Sequence, residues 1–117
     1  MKPALAFAAA LLSATAATSG PYDGLYVPAG MNWSCRADQL GMDGGALAFR
    51  GDELIGVENY CKLTQPTQVR GMNAVLFDAV CSGEGEEYTE RVMLMPHFQN
   101  GIYIIRDGGV ADWRRCG

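Results

Sequence analysis

From residue 45 onward, short apolar runs alternate with turn signals at intervals of about eight to twelve residues, and that spacing leaves room for little but antiparallel strands. Gly51-Asp52 separates residues 46–50 from 53–63, with glycine first, as a type II′ hairpin prefers. Asn100-Gly101 separates 91–99 from 102–106, and both residues accept positive φ, which makes this the strongest short hairpin signal in the chain. Asp107-Gly108-Gly109 leads into 110–115, and Ser82–Glu86 parts 73–81 from 87–95. No stretch after residue 45 keeps the i, i+3, i+4, i+7 spacing of an amphipathic helix. The expected fold is all-β: one small domain of six to seven antiparallel strands, the seventh at Gly24-Leu25-Tyr26-Val27, in an up-and-down meander forming a barrel or half-barrel. Residues 64–72, with Pro66 and Gly71, read as the longest internal connection.

Alternation along the strands predicts which side chains face inward. Ile55, Val57, Cys61 and Leu63 share one parity, and Val75, Phe77, Ala79 and Cys81 another; both sets are expected inside. Across the Asp107–Gly109 turn, Trp113 falls on the face of Ile102 and Ile104. Cys116 falls opposite, with Tyr103, Ile105 and Val110. Both faces are apolar there, so the second needs cover from a neighbouring segment, such as residues 22–35, or from a partner.

The chain starts with Met1-Lys2-Pro3, an uncharged run from Ala4 to Leu12, and small residues at Ser13-Ala14-Thr15-Ala16. At 1.5 Å per residue the apolar run spans only about half of a bilayer core, and Ala14 and Ala16 fit a small-x-small cleavage pattern. Residues 1–16 therefore read as a signal-peptide helix, and 17–117 as a single disulfide-stabilised β domain that is periplasmic or secreted and makes no stable membrane insertion after cleavage. The formal net charge is −4, and loss of Lys2 with the leader makes the remainder more acidic. No nucleic-acid partner is expected, because phosphate neutralisation needs a basic footprint.

In an oxidising compartment Cys35, Cys61, Cys81 and Cys116 are expected to form two disulfides. No Cys-x-x-Cys pair is present, and His97 is the sole histidine, so structural zinc has no support. Four cysteines allow three pairings and spacing selects none of them. Pairing of sequence neighbours, Cys35–Cys61 with Cys81–Cys116, is the expectation adopted.

Chemistry-bearing residues are sparse. A Ser–His or Cys–His hydrolase would need His97 as its base, yet no serine sits in a nucleophile elbow and the cysteines are committed to disulfides. His97, two residues before a turn, reads as an exposed hairpin-end side chain. Glu84, Glu86, Glu87 and Glu90 cluster around one turn and form one candidate surface; paired carboxylates of this kind could run glycoside hydrolysis or chelate calcium. Tyr103, Arg106, Trp113 and Arg114 form a second, where stacking and guanidinium forks could hold an anionic or aromatic ligand. No glycine-rich phosphate loop opens a helix, and no cofactor is expected.

The segments Cys81-Ser82-Gly83-Glu84-Gly85-Glu86 and Trp113-Arg114-Arg115-Cys116, with Trp33 two residues before Cys35 and Val57-Glu58 ahead of Cys61, carry a resemblance. Over about residues 30–116 the chain resembles a group of small exported four-cysteine bacterial proteins with no assigned activity. The resemblance implies a β-rich disulfide domain outside the cytoplasm and transfers no functional residue. The function expected is a non-enzymatic binding or inhibitor module for a protein or small-molecule ligand. The alternatives are a weak carboxylate-dependent hydrolase and a structural or envelope-stress protein without a ligand.

Overall fold

A computed structural model describes residues 20–117; the expected signal peptide lies outside the described residues. Eight antiparallel strands follow one another around a closed barrel: β1 (Gly24–Pro28), β2 (Leu47–Arg50), β3 (Glu53–Gly56), β4 (Asn59–Gln68), β5 (Val75–Gly83), β6 (Glu86–His97), β7 (Gly101–Arg106) and β8 (Gly109–Arg115). Each strand pairs with its sequence neighbour, and β1 closes on β8 with Val27 opposite Arg114. Closure removes both sheet edges. A barrel of eight strands is just wide enough for its own side chains to fill. Among the described residues the only helix is one 3₁₀ turn, Ala37–Gln39, and none is long and apolar enough to cross a membrane.

The inward faces meet in one core. Tyr26, Phe49 and Trp113 stack at its centre, with ring centroids 5.5 Å apart for Tyr26–Phe49 and 5.6 Å for Phe49–Trp113. Leu47, Leu54, Leu63, Val92, Leu94, Ile102 and Ile104 pack around them. Trp113 stands opposite Ile102 and shares its face with Ile104, as the turn register predicts.

Two expectations about strands change. Residues 53–63 are two strands, because Val57-Glu58 makes a two-residue turn with Gly56 opposite Asn59 and Glu58 at φ 48°. The Glu58 amide donates to the Gly41 carbonyl at 2.9 Å, so the preceding loop braces a turn that has no glycine or asparagine at its centre. That turn resets parity: Leu54 stands opposite Cys61 and is buried, whereas Ile55 is half-buried and Val57 exposed. Ile55 and Val57 therefore do not share the inward face of Cys61 and Leu63. Likewise residues 64–72 are not all connection, since β4 continues to Gln68. Gln65 and Pro66 form a β-bulge between the Thr64–Asp78 and Thr67–Leu76 pairs, where proline's missing N–H costs no ladder bond.

The disulfides join Cys61 to Cys81 and Cys35 to Cys116, which corrects the expected Cys35–Cys61 and Cys81–Cys116 pairing. Register is the reason. Cys61 and Cys81 are direct cross-strand partners on the inward faces of β4 and β5, with Cα atoms 4.0 Å apart. Cys35 lies in the long loop between β1 and β2, and its disulfide anchors that loop to the chain just after β8, where the Cys116 amide donates to the Leu25 carbonyl at 2.9 Å.

Candidate functional site

The eight residues singled out from the sequence do not converge on one site. Trp113 is core, as above. Arg106 donates from Nε to Glu90 Oε2 at 2.7 Å, and both side chains are about one-third exposed or less. This pair sits on the inward face beside the Cys61–Cys81 disulfide, since Glu90 stands opposite Ala79 and its Oε2 is 4.0 Å from Cys81 Sγ. Tyr103 and Arg114 lie on the outer wall in a network around His97.

His97 is not the exposed side chain that its turn position suggests; it is only 9% exposed. Its ring lies over Gly101, its partner on β7, and a Cβ at that glycine would meet ring atoms at 2.8 and 2.9 Å. The missing side chain lets the imidazole reach across β7 to Asp112 on β8, with Nε2 2.8 Å from Oδ1. The Gln99 amide donates to Nδ1 at 3.1 Å, so Nδ1 is the acceptor and Nε2 carries the proton given to Asp112. Tyr103 packs on the ring at a centroid distance of 4.5 Å and gains part of the cover its face needs. Both ring nitrogens are engaged, which leaves His97 no lone pair for a substrate proton.

Asp112 is the hub of this network. Arg114 forks onto it, with Nε and Nη2 each 3.2 Å from a carboxylate oxygen, and also donates to Gln99 Oε1 at 2.9 Å. The Arg114 hydrogen bonds hold the Asp112 carboxyl below its usual range against partial desolvation, and His97 adds to the effect. A carboxylate depressed in the folded chain contributes stability that is complete above its unfolded pKa and drains as pH falls through the folded value. Unfolding free energy is therefore expected to decline below about pH 4, and Asp112→Asn should flatten that limb in urea titrations repeated across pH. An acid limb equally steep in the variant would assign the loss to other carboxylates.

An open cleft of about 700 Å³ lies at the barrel end that carries the β3–β4 and β5–β6 turns. Leu40, Gly41, Ile55, Gly56 and Tyr60 form much of its surface, and Glu58, Glu86 and Glu87 rim it. Glu84 lines the adjoining hollow with Val57 and Tyr88. Local backbone explains the projection of the carboxylates. Glu84-Gly85 is a two-residue turn with φ of 50° and 80°, which carries Glu84 clear of the barrel and starts β6 at Glu86. Among the described residues none of Glu58, Glu84, Glu86 and Glu87 forms an ion pair. Val57, Tyr60 and Tyr88 are each more than one-third exposed beside them. Tyr60 donates to Glu53 at 2.6 Å, and that bond pushes its hydroxyl up to about 12, so the ring stays neutral. Tyr88 accepts from Asn59 Nδ2 at 2.7 Å, which fixes its position.

This arrangement offers charge and aromatic surface rather than an acid–base pair. Glu84, Glu86 and Glu87 face water and Glu90 has a cation at 2.7 Å, so none is the desolvated acid that glycoside hydrolysis requires. Among the described residues the only metal-ligating group in range of a shared ion is Cys61, Cys81 and Glu90, and the disulfide consumes both sulfurs. Sequence reasoning finds Glu84, Glu86 and Glu87 but misses Glu58 and Tyr60, which the β3–β4 turn brings to them, and Tyr88, which follows them on β6; the resemblance motif at Val57-Glu58 is the available signal. Comparison with protein-family models, curated proteins and solved structures finds no match for this chain.

Proposed function

We propose that this protein is an exported, non-enzymatic binding module of inhibitor type whose cleft at the β3–β4 and β5–β6 turns docks a basic protein partner. One observation carries the reading: Glu58, Glu86 and Glu87 rim a cleft lined by Leu40 and Ile55, Glu84 lines the adjoining hollow, exposed tyrosines flank both, and none of the four carboxylates has an ion-pair partner among the described residues. Tyrosine supplies contact area at low entropic cost, and like charges gathered on one surface favour a partner of opposite sign while speeding encounter. Two disulfides in a small domain suit the oxidising compartment implied by the leader sequence.

The test compares wild type with Glu84→Lys/Glu86→Lys/Glu87→Lys as immobilised bait in periplasmic extract at low salt. A partner of high isoelectric point, retained by wild type, released by salt and lost to the triple variant, is the expected outcome. Retention of nothing, or equal retention by both baits, would refute the reading.

A further inference from the structure

The two ends of the barrel interior are finished differently. At the cleft end, polar pairs cap the core: Asn59 with Tyr88 at 2.7 Å and Glu90 with Arg106 at 2.7 Å, directly over the Cys61–Cys81 disulfide. At the opposite end, the half-buried Val75 and Phe77 present apolar surface beside the buried Leu63. The Pro66 bulge closes one side of it and Pro21-Tyr22 the other, giving a cup of about 450 Å³. Pockets for small organic ligands commonly span about 300–1,000 Å³ and often occupy barrel mouths.

The walls of the cup are held firmly. Asp23 Oδ1 accepts from the Gly51 amide at 2.7 Å, and the Tyr26 hydroxyl donates to the Tyr22 carbonyl at 2.6 Å. The Tyr22 ring packs 5.8 Å from Phe49. A pre-formed wall saves the ordering cost that weakens binding to mobile loops.

The polar groups of the cup restrict what it can take. Gln68 stands opposite Val75 and so faces the same side. Its Nε2 donates to the carbonyls of Met72 and Ala74 at 3.0 and 3.1 Å, which uses both amide protons and fixes the flip. Oε1 has no donor among the described residues, so it offers an acceptor to a ligand. Among the described residues Asp52 is the only charged one in the lining, and its carboxylate lies 3.6 Å from Lys62 Nζ. The lining contains no cation, so an anionic ligand would find no counter-charge, and burial keeps the Tyr22 hydroxyl protonated.

We infer that this cup binds a small uncharged aromatic alcohol of the phenol class, with its ring against Phe77, Leu63 and Val75 and its hydroxyl donated to Gln68 Oε1. The site lies at the opposite end of the barrel from the acidic cleft, so it stands or falls independently of the proposed protein partner.

The test is an amide-resolved NMR titration of the ¹⁵N-labelled protein with phenol, toluene and benzoate. A ligand this small should bind with a Kd on the order of 1 mM. Saturable shifts for phenol confined to residues 22, 51–52, 63–65, 67–68 and 75–77 are expected. Toluene, which lacks the hydroxyl, should bind about tenfold more weakly, and benzoate should not saturate. Pro66→Trp should fill the cup and abolish the phenol response while the rest of the spectrum persists. Gln68→Leu should reduce phenol to the affinity of toluene. No saturable shift, shifts centred on residues 84–87, or an unchanged phenol response in both variants would overturn the assignment.

Discussion

Removing the Cys35–Cys116 bridge as Cys35→Ser/Cys116→Ser is expected to lower the unfolding free energy by about 4 kcal/mol and the melting temperature by roughly 20 °C. The bridge closes a loop of 81 residues, which the inner Cys61–Cys81 bridge shortens by 20. In the chain-entropy account a loop of this size restricts the unfolded ensemble by about 4 kcal/mol, against a total stability of about 5–15 kcal/mol for a small domain. The native state loses an anchor as well, because Cys35 fixes the loop whose Gly41 carbonyl braces the β3–β4 turn. Cys61→Ala/Cys81→Ala removes about 3 kcal/mol by the same account and also leaves a void, since both residues are buried in the core. The two bridges should differ in access. Cys35 and Cys116 are half-buried, while Cys61 and Cys81 are closed off from solvent. Mild reductant is therefore expected to produce a one-bridge species that retains Cys61–Cys81, identified by alkylation and non-reducing peptide mapping. Simultaneous loss of both bridges, or a melting temperature unmoved by reduction, would contradict this picture.

These bridges also mark where the sequence stops being informative. Turn chemistry reads nearly to the residue: Gly51-Asp52 takes φ of 60° at the glycine and joins β2 to β3, whereas the expected Asn100-Gly101 turn is a loop over 98–100, with Asn100 at φ 58° and Gly101 already paired with His97 at the start of β7. Such turns are local, so composition suffices to place them. The Val57-Glu58 turn is held by a backbone bond from a distant loop, and no residue at its centre announces it. Missing it placed Ile55 and Val57 on the inward face and hid the directly opposed Cys61 and Cys81 within an apparently longer strand. Pro66 makes the segment 64–72 read as a connection, whereas the bulge lets the strand continue past the proline to Gln68. The acidic rim was half legible, because Glu84, Glu86 and Glu87 adjoin one visible turn. The cup was not legible at all. Tyr22, Leu63, Pro66 and Phe77 come from separate segments, and only barrel closure brings them around one opening. The buried state of His97 was hidden for a related reason. A histidine beside a turn is exposed by default, unless the residue across from it is small enough to let the ring lie down.

That residue is Gly101, and Gly101→Ala is expected to destabilise the protein by about 3 kcal/mol or more. A Cβ there would meet His97 ring atoms at 2.8 and 2.9 Å and also contact the Trp113 carbonyl oxygen. Overpacking of this kind commonly costs about 1–3 kcal/mol. The ring has little freedom to yield, because Nε2 is bonded to Asp112 and Nδ1 to the Gln99 amide. Swinging it outward would break both bonds and leave Asp112 with Arg114 alone. The Trp113 carbonyl cannot yield either, since β8 is paired on both sides and the Trp113 ring is wedged against Phe49 and Tyr26. A double-mutant cycle separates the two obstacles. If the imidazole is the main one, His97→Ala should cost less in the Gly101→Ala background than in wild type, with a coupling of about 1 kcal/mol or more. If the backbone oxygen dominates, the two substitutions should add. Gly101→Ala melting within a few degrees of wild type would mean that neither the ring nor the Trp113 carbonyl crowds this position in solution.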